Sequence, residues 1–451
     1  MKVTKFGGSS LSNTTQLQKV LSIVKADPER RFVIVSAPGK RVESDTKVTD
    51  LLIQYAETFL NKQNTTQIEE DIIHRYEEIS RELNLKTALP EIKHLLSSLK
   101  ETTYVSVPRI MDLFKSSGEN CHAMLIAEFF SRNGLPAQYI HPKEAGLLVE
   151  DIPGDAIIKK EAYEKLYNLR QLDKVAVIPG FFGITENNDI CTFSRGGSDV
   201  TGSIVAAGVK ADLYENFTDV DAIYSAHPGI IPNCHAIKEL TFSEMRELSY
   251  SGFKVLHDEA LMPAFKANIP VVIKNTNNPS APGTLISSKR TTSNEAVVGI
   301  AGDSGFTSIY ISKYLMNRQL GFGYSVLKIL KDLELQYEHL PSGIDDITII
   351  LRKDQLNNSL EAELIKRLQE TLDLDEIIVK HNISMIALVG EGMRNNIGVA
   401  SRATSALSRN HINLEMISQG SSEVSILFAI DDANEKDAIK ALYYEFFCLA
   451  K

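Results

Sequence analysis

No stretch of this 451-residue chain approaches the roughly 18 to 20 consecutive apolar residues of a membrane-spanning helix. Nor does a charged-then-apolar leader precede the first strand-like run, so cytoplasm is the expected location and no membrane is implied. Cysteine is scarce. Cys121, Cys191, Cys234 and Cys448 lie far apart without C-x-x-C spacing, which points away from a disulfide framework or a zinc site and toward structural sulfur. A basic surplus is also missing: 48 Lys and Arg stand against 58 Asp and Glu, a net charge of −10, and the cations are dispersed. That balance argues against a nucleic-acid surface and requires any anion site to be built locally. Two nucleotide signatures are lacking too. No G-x-x-x-x-G-K-[ST] occurs, and no G-x-G-x-x-G stands between a strand and a helix, so Walker-type and Rossmann binding are unsupported.

Apolar residues make up 43% of the chain, ample for buried cores, and the length suits two to four domains. Over residues 1–290, short runs such as "RFVIVSAPG", "KVAVIPGFFG", "ADLYENFTDV" and "IPVVIKNT" end in turn residues and alternate with helical stretches such as "ENCHAMLIAEFFSRNG". This is the pattern of an α/β domain with a largely parallel sheet. The polar stretch "NPSAPGTLISSKRTTSNE" reads as a linker or a last surface hairpin, with a domain boundary near 290.

Beyond it the rhythm changes. "FTSIYIS", a helix at 321–332, "LQYEHL", "DDITIIL", a helix at 354–370 and "DEIIVK" spell β-α-β-β-α-β, the ferredoxin-like order. A second round, "ISMIALVG", a helix at 396–409, "INLEMISQ", "EVSILFAI" and a helix at 433–447, lacks one strand. The spare run "AVVGIA" at 296–301 is expected to supply it, so that a domain at 305–381 is inserted into one made of 295–302 plus 382–451.

Two glycine loops carry the chemistry. "VTKFGGSSLS" at 3–12 sets Lys5 beside Gly7 and Gly8. It is either a tight strand-to-helix turn or a phosphate cradle, in which backbone N–H groups and a helix N-terminus face an anion that Lys5 also touches. "CTFSRGGSDVTGS" at 191–203 repeats the device with Arg195, Ser198 and Asp199 ahead of an apolar helix. Arg offers a bidentate fork for a carboxylate or phosphate, while capping by Ser198 or Asp199 is the plainer explanation. Two such loops in one domain favour the ligand explanation, because both ends of a substrate pair can then be held.

"KFGGSS", "GFFG" at 180–183, "SRGGSD" at 194–199, "FTDVDAIYSAHP" at 217–228 and "KVLHDEA" at 254–260 together resemble the aspartokinases of the amino-acid kinase family. The two C-terminal repeats, with "QGSSEVSI" at 419–426, resemble their ACT regulatory domains. The resemblance spans essentially the whole chain in order. It implies an amino-acid kinase fold with a mainly parallel central sheet, followed by two ferredoxin-like (ACT) α+β domains. The length suits the monofunctional form, leaving nothing for a fused homoserine dehydrogenase.

The implied reaction is phosphoryl transfer from ATP, carried with Mg2+, to the β-carboxylate of L-aspartate. The product is 4-phospho-L-aspartate, the first step toward lysine, threonine and methionine; no resident metal is implied. A carboxylate nucleophile is ionised at pH 7 and needs no base, so charge neutralisation is the task. By resemblance, Lys5 with the Gly7 and Gly8 amides stabilises the phosphoryl group, and Asp199 orients the lysine. Arg195 takes the α-carboxylate and Glu119 the ammonium. Thr49, Phe181, Gly196, Gly197 and Ser198 complete the pocket. Alone, Glu119 would read as an acid complementing a helix dipole, and Thr49 as a cap.

Phe6, Thr218, Asp219, Tyr224, Lys254 and Val255 match the ATP side. There the chain departs from the pattern: His227-Pro228-Gly229 stands where many relatives have acid-Pro-Arg, so one phosphate-contacting arginine is absent. Lys40 or Arg41 is a substitute, a solvated loop being the plainer role for both. A non-catalytic amino-acid sensor and a kinase acting on another amino acid remain alternatives, both disfavoured by Lys5, Glu119, Arg195 and Asp199 standing together.

The resemblance further implies feedback by lysine or threonine where two chains meet in a homodimer or dimer of dimers. Met316, Gly321, Phe322 and Gly323 match the effector loop, with Gln336, Tyr337 and Glu338 on the facing strand. The plainer reading is a turn at "GFG" and a solvated edge charge at Glu338.

Overall fold

In the computed structural model, residues 1–194, 196–253, 255–257, 259–291, 295–420, 422 and 424–448 are described. The chain divides into two units, one of Met1–Ile223, Ala236–Arg246 and Lys254–Ser293, the other of Tyr224–His235, Glu247–Phe253 and Asn294–Lys451. Two stretches expected within the first domain, 224–235 and 247–253, thus belong to the second unit. Ala226, Ile231 and Cys234 are buried there in one cluster with Val297, Ile300 and Phe428.

The strands of the first unit are β1 (Lys2–Phe6), β2 (Arg30–Val35), β3 (Ala137–Tyr139), β4 (Val175–Pro179), β5 (Phe182–Ile184), β6 (Ile190–Thr192), β7 (Leu213–Thr218), β8 (Glu239–Thr241), β9 (Val271–Asn275) and β10 (Thr284–Ser287). Eight of them form a sheet in the order β3-β4-β2-β1-β7-β9-β10-β8, while β5 and β6 make a separate hairpin. All its pairs run parallel except β9 with β10, which is the hairpin reading of the polar stretch after 275. Phe32 through Val35 of β2 are at most 1% exposed, as strands covered by helices on both faces must be. The ends of β1, β2 and β4 carry Lys5, Ser36 and Phe181 to one edge of the sheet, where open parallel sheets place their ligands.

The second unit holds β11 (Gly299–Ser312), β12 (Tyr337–His339), β13 (Asp346–Arg352), β14 (Glu376–Val389), β15 (Met416–Gln419) and β16 (Ser425–Asp431). They form one antiparallel sheet in the order β12-β13-β11-β14-β16-β15. Runs anticipated as separate strands are fused here: β11 and β14 have 14 residues each and pair along their length, with register shifts between Asp303 and Ser308. Gly299, Ile300 and Ala301 pair with Val389, Leu388 and Ala387, so the spare run does enter the second repeat's sheet. The helix anticipated at 354–370 is Asn358–Leu372, because Asn357 accepts the Leu360 N–H at 2.9 Å and sets its start.

Within the first sheet, Arg30 on β2 reaches across β1 to grip Glu215 on β7 with Nε and Nη2, at 2.6 and 2.8 Å. Their side chains are 11% and 4% exposed, and Arg30 Nη1 also donates to the Ile23 carbonyl at 2.6 Å. Removing one partner of such a pair strands a buried charge. Arg30→Met is therefore expected to cost about 3 to 5 kcal/mol in urea unfolding. Arg30→Met with Glu215→Leu should recover most of that loss, and equal instability of the single and double variants would reject the pair's role.

Candidate functional site

A cleft of about 240 Å³ opens where the glycine loops meet, lined among others by Lys5, Gly7, Gly8, Thr49, Glu119 and Phe181. Gly196, Gly197, Ser198 and Asp199 close it, together with Ser36 and Ser194. At its base Lys5 Nζ lies 2.6 Å from Asp199 Oδ1, with side chains only 9% and 14% exposed. The same oxygen accepts Asn216 Nδ2 at 2.7 Å. Lys5 on β1 and Asn216 on β7 are register partners, so two neighbouring strands present two donors to one carboxylate.

Asp199 stands in the first turn of the helix Gly197–Gly208, whose N-cap, Gly196, has φ 72°. A Cβ at Gly196 would also stand 2.8 Å from His257 Cδ2, so conformation and space both ask for glycine. Phe181 holds φ 78° without being glycine. Its N–H donates to Thr201 Oγ1 at 3.0 Å and its carbonyl accepts Phe193 N–H at 2.8 Å, which hold this strained residue against the cleft. The Gly7 amide is not a free donor, since it bonds to the Phe217 carbonyl at 3.1 Å. Gly8 opens the short 3-10 turn Gly8–Leu11, whose first amides have no partner inside the turn.

Glu119 lies in the middle of the helix Val107–Arg132 and is 5% exposed. Burial pushes its carboxyl up to about 8, against the opposing pull of the Ala37 amide. Its Oε2 is buried without a hydrogen-bond partner. An acid so placed is in want of a cation, which an acid in a helix's first turn is not. Thr49 is the second residue of the helix Val48–Leu60, whose N-cap is Lys47, so it lines the cleft without serving as the cap.

Residues 1–275 match the Amino acid kinase family, and residues 386–446 match an ACT domain. Aspartokinase 3 of Bacillus subtilis is 54% identical over 448 residues, 99% of each chain. This chain belongs to the amino acid kinase family, among its aspartokinases. Aspartate kinase of Clostridium acetobutylicum, described as an allosteric enzyme, superposes with a TM-score of 0.88 at 37% identity, covering 99% of this chain and 100% of that one. E. coli aspartokinase III, solved with aspartate and ADP, shares the fold with a TM-score of 0.76 at 24% identity, over 99% and 100% of the two chains.

Of the residues the family resemblance singles out, Lys5, Gly7, Gly8, Thr49, Glu119, Phe181, Gly196, Gly197, Ser198 and Asp199 come together in the one cleft. Arg195 and Lys254 lie outside the described residues. Phe6 is fully buried and stacks on Phe217 with ring centres 4.9 Å apart, so its side chain belongs to the core. Thr218 ends β7 and donates to Asp219 at 3.2 Å, whereas Tyr224 packs in the core of the second unit and Val255 is half-buried. Arg41 is taken up by Asp45 at 2.9 Å and Glu78 at 2.5 Å, and Lys40 donates to the Glu43 carbonyl at 3.2 Å. Both are accounted for by neighbours in their loop and, for Arg41, by Glu78 on the helix Thr66–Glu82.

Ser36, Ser194 and Asn216 were missed. Asn216 offers a faint signal, a polar residue in the strand-like run "LYENF", and its pairing with Lys5 depends on strands more than 200 residues apart.

In the second unit, Gly321, with φ 79°, caps the helix Phe322–Asp332, while Met316 and Phe322 are buried in the core. Gly323 has open space around it. Gln336 exchanges two hydrogen bonds with Gln355, at 2.8 and 3.0 Å, and Tyr337 is 47% exposed. Glu338 is no solvated edge charge: it accepts Arg352 Nε at 3.2 Å and the Tyr250 hydroxyl.

Proposed function

We propose that this aspartokinase transfers the terminal phosphoryl group of ATP to the β-carboxylate of L-aspartate, and that its second unit applies feedback control. The observation that carries the catalytic reading is that Glu119, whose carboxylate Oε2 is buried without a partner, lines the same cleft as the Lys5–Asp199 pair. A buried acid with no cation of its own suits the ammonium of an amino acid. Beside it, a lysine and a glycine turn suit a transferring phosphoryl group. Arg195 is assigned the α-carboxylate, where a planar fork gives two parallel bonds. Thr49, Phe181, Gly196, Gly197 and Ser198 shape the pocket around the substrate.

The substrate carboxylate attacks phosphorus as the bond to ADP breaks, and no proton has to move. Lys5 neutralises charge as it spreads over the phosphoryl oxygens, and Asp199 with Asn216 fixes where that lysine points. Thr218, Asp219, Tyr224, Lys254 and Val255 are assigned to the nucleotide, with Phe6 acting through the backbone that follows it; Mg2+ enters with the ATP. The two halves of the six-stranded sheet, 305–381 and 295–302 plus 382–451, are read as two ACT modules pairing with a second copy of the chain. Met316, Gly321, Phe322, Gly323, Gln336, Tyr337 and Glu338 are read as the site for lysine or threonine.

A coupled ADP-release assay over a panel of amino acids should show aspartate as the preferred acceptor. Lys5→Ala should lower kcat by about 10² to 10³, as loss of a preorganised charge does, while aspartate binding stays measurable by calorimetry. Near wild-type kcat in that variant would reject the lysine's role.

Protonation of Glu119 gives a second test. With its carboxyl at about 8, the free protein holds Glu119 mostly uncharged at pH 6 to 7, and an incoming ammonium must expel that proton. Apparent affinity for aspartate should therefore rise with pH, by up to about tenfold per unit, and level off above pH 8. In Glu119→Gln the affinity should be weak and this rise absent; an unchanged profile would place the titrating group elsewhere.

Lysine, threonine and their mixture should be titrated against the same activity. Inhibition by at least one, relieved in Glu338→Ala, is expected. Inhibition indifferent to the substitution would move the effector elsewhere.

A further inference from the structure

His122 touches nothing in the cleft, yet it lies one turn after Glu119 on the helix Val107–Arg132, where residues three apart share a face. The ring is completely buried. Its Nδ1 lies 3.0 Å from the carbonyl oxygen of Ser36, a contact that needs the hydrogen on Nδ1. The other nitrogen, Nε2, is buried without a partner, and burial holds the ring's pKa down to about 3. The ring is thus a neutral donor with one fixed tautomer.

The Ser36 carbonyl and the Ala37 N–H are the two poles of one peptide unit. The carbonyl accepts from His122, and the N–H lies on the side of the Glu119 carboxyl, where it opposes the rise that burial causes. Two side chains a turn apart therefore meet a single peptide at its two poles. The segment so held also meets the first glycine loop: Gly39 N–H donates to the Gly8 carbonyl at 2.9 Å, and the Ala37 carbonyl stands 3.0 Å from where a Cβ on Gly8 would be.

We infer that His122 is a positioning residue, whose bond to the Ser36 carbonyl holds the Ser36–Ala37 peptide in the cleft wall that Ser36 and Glu119 share, and so keeps the Glu119 carboxyl in place for the amino-acid substrate. The inference rests on the reading of the cleft as an aspartate site. Without the imidazole, the Ser36 carbonyl is a buried acceptor with no partner, and the peptide turns to find one. Glu119 then loses the fixed wall beside it.

His122→Leu removes the donor at similar volume, whereas His122→Asn places an amide N–H close to where Nδ1 stood. In His122→Leu the KM for aspartate should rise about tenfold, with the KM for ATP and kcat within about twofold of wild type. His122→Asn should restore most of that difference. Deuterium uptake of residues 36–39 should quicken in His122→Leu and return toward wild type in His122→Asn, and that readout needs no turnover.

A wild-type protein inactive on aspartate would therefore defeat the functional reading while the exchange data still decided the role of His122. Equal change in both KM values, no rescue by asparagine, or unaltered exchange at 36–39 in a folded His122→Leu protein would each overturn the inference. If His122→Leu does not fold, the His122→Asn variant decides alone: wild-type kinetics and exchange support the role, and a tenfold rise in aspartate KM rejects it.

Discussion

One carboxylate oxygen, Asp199 Oδ1, ties the first unit's chemistry to its architecture. Lys5 Nζ and Asn216 Nδ2 both end on it, at 2.6 and 2.7 Å. A lysine this deeply buried loses hydration that a lone counter-ion rarely repays, and the second donor keeps the carboxylate satisfied on both sides. For the three groups to converge, β1 and β7 must be adjacent and parallel, in the register that sets Lys5 beside Asn216. The helix Gly197–Gly208 must also begin at one spot, which the left-handed Gly196 allows. Sheet order, register and helix start are therefore conditions on where a single ammonium sits. The Arg30–Glu215 clamp acts on the same two strands, since it crosses from β2 over β1 to β7.

Tight backbone approach has a similar logic on the other side of β1. A Cβ at Gly39 would fall 2.6 Å from the Gly8 backbone, so the turn after β2 lies directly against the turn after β1. That contact brings the peptide held by His122 beside the glycine loop that follows Lys5. The part of the cleft suited to an ammonium and the part suited to a phosphoryl group are thus built on adjoining turns of neighbouring strands, and neither can move far without displacing the other.

Much of this was legible before any coordinates, and the reasons differ by element. Apolar runs closed by turn residues exposed the parallel strands, because strands covered on both faces leave little room for polar side chains. The doubled glycines beside Lys5 and Asp199 marked the loops, since backbone that must approach another chain segment cannot carry a Cβ. What escaped notice depends on distant pairing. Asn216 matters through a strand more than 200 residues away, and Ser36 through the turn it ends. The free Gly7 amide was an error of the same kind, as its partner, the Phe217 carbonyl, comes from β7. In the second unit, "AVVGIA" and "FTSIYIS", and likewise "DEIIVK" and "ISMIALVG", were expected as separate strands where the structure has continuous ones, with register shifts between Asp303 and Ser308.

Those continuous strands give the second unit its mechanical character. Because β11 and β14 run through both halves of the six-stranded sheet, the halves share backbone and not merely a boundary. Arg352, on β13, sits beside the irregular stretch with its guanidinium 4.2 Å over the Phe306 ring and an ion pair to Asp303 at 2.6 Å. The same guanidinium holds Glu338 on β12. Arg352 thus pairs at once with Glu338 at the β12 edge and with Asp303 where the register shifts. A single side chain in this way ties that edge to the joint between the halves. An isolated ion pair on a solvated edge would make no such tie.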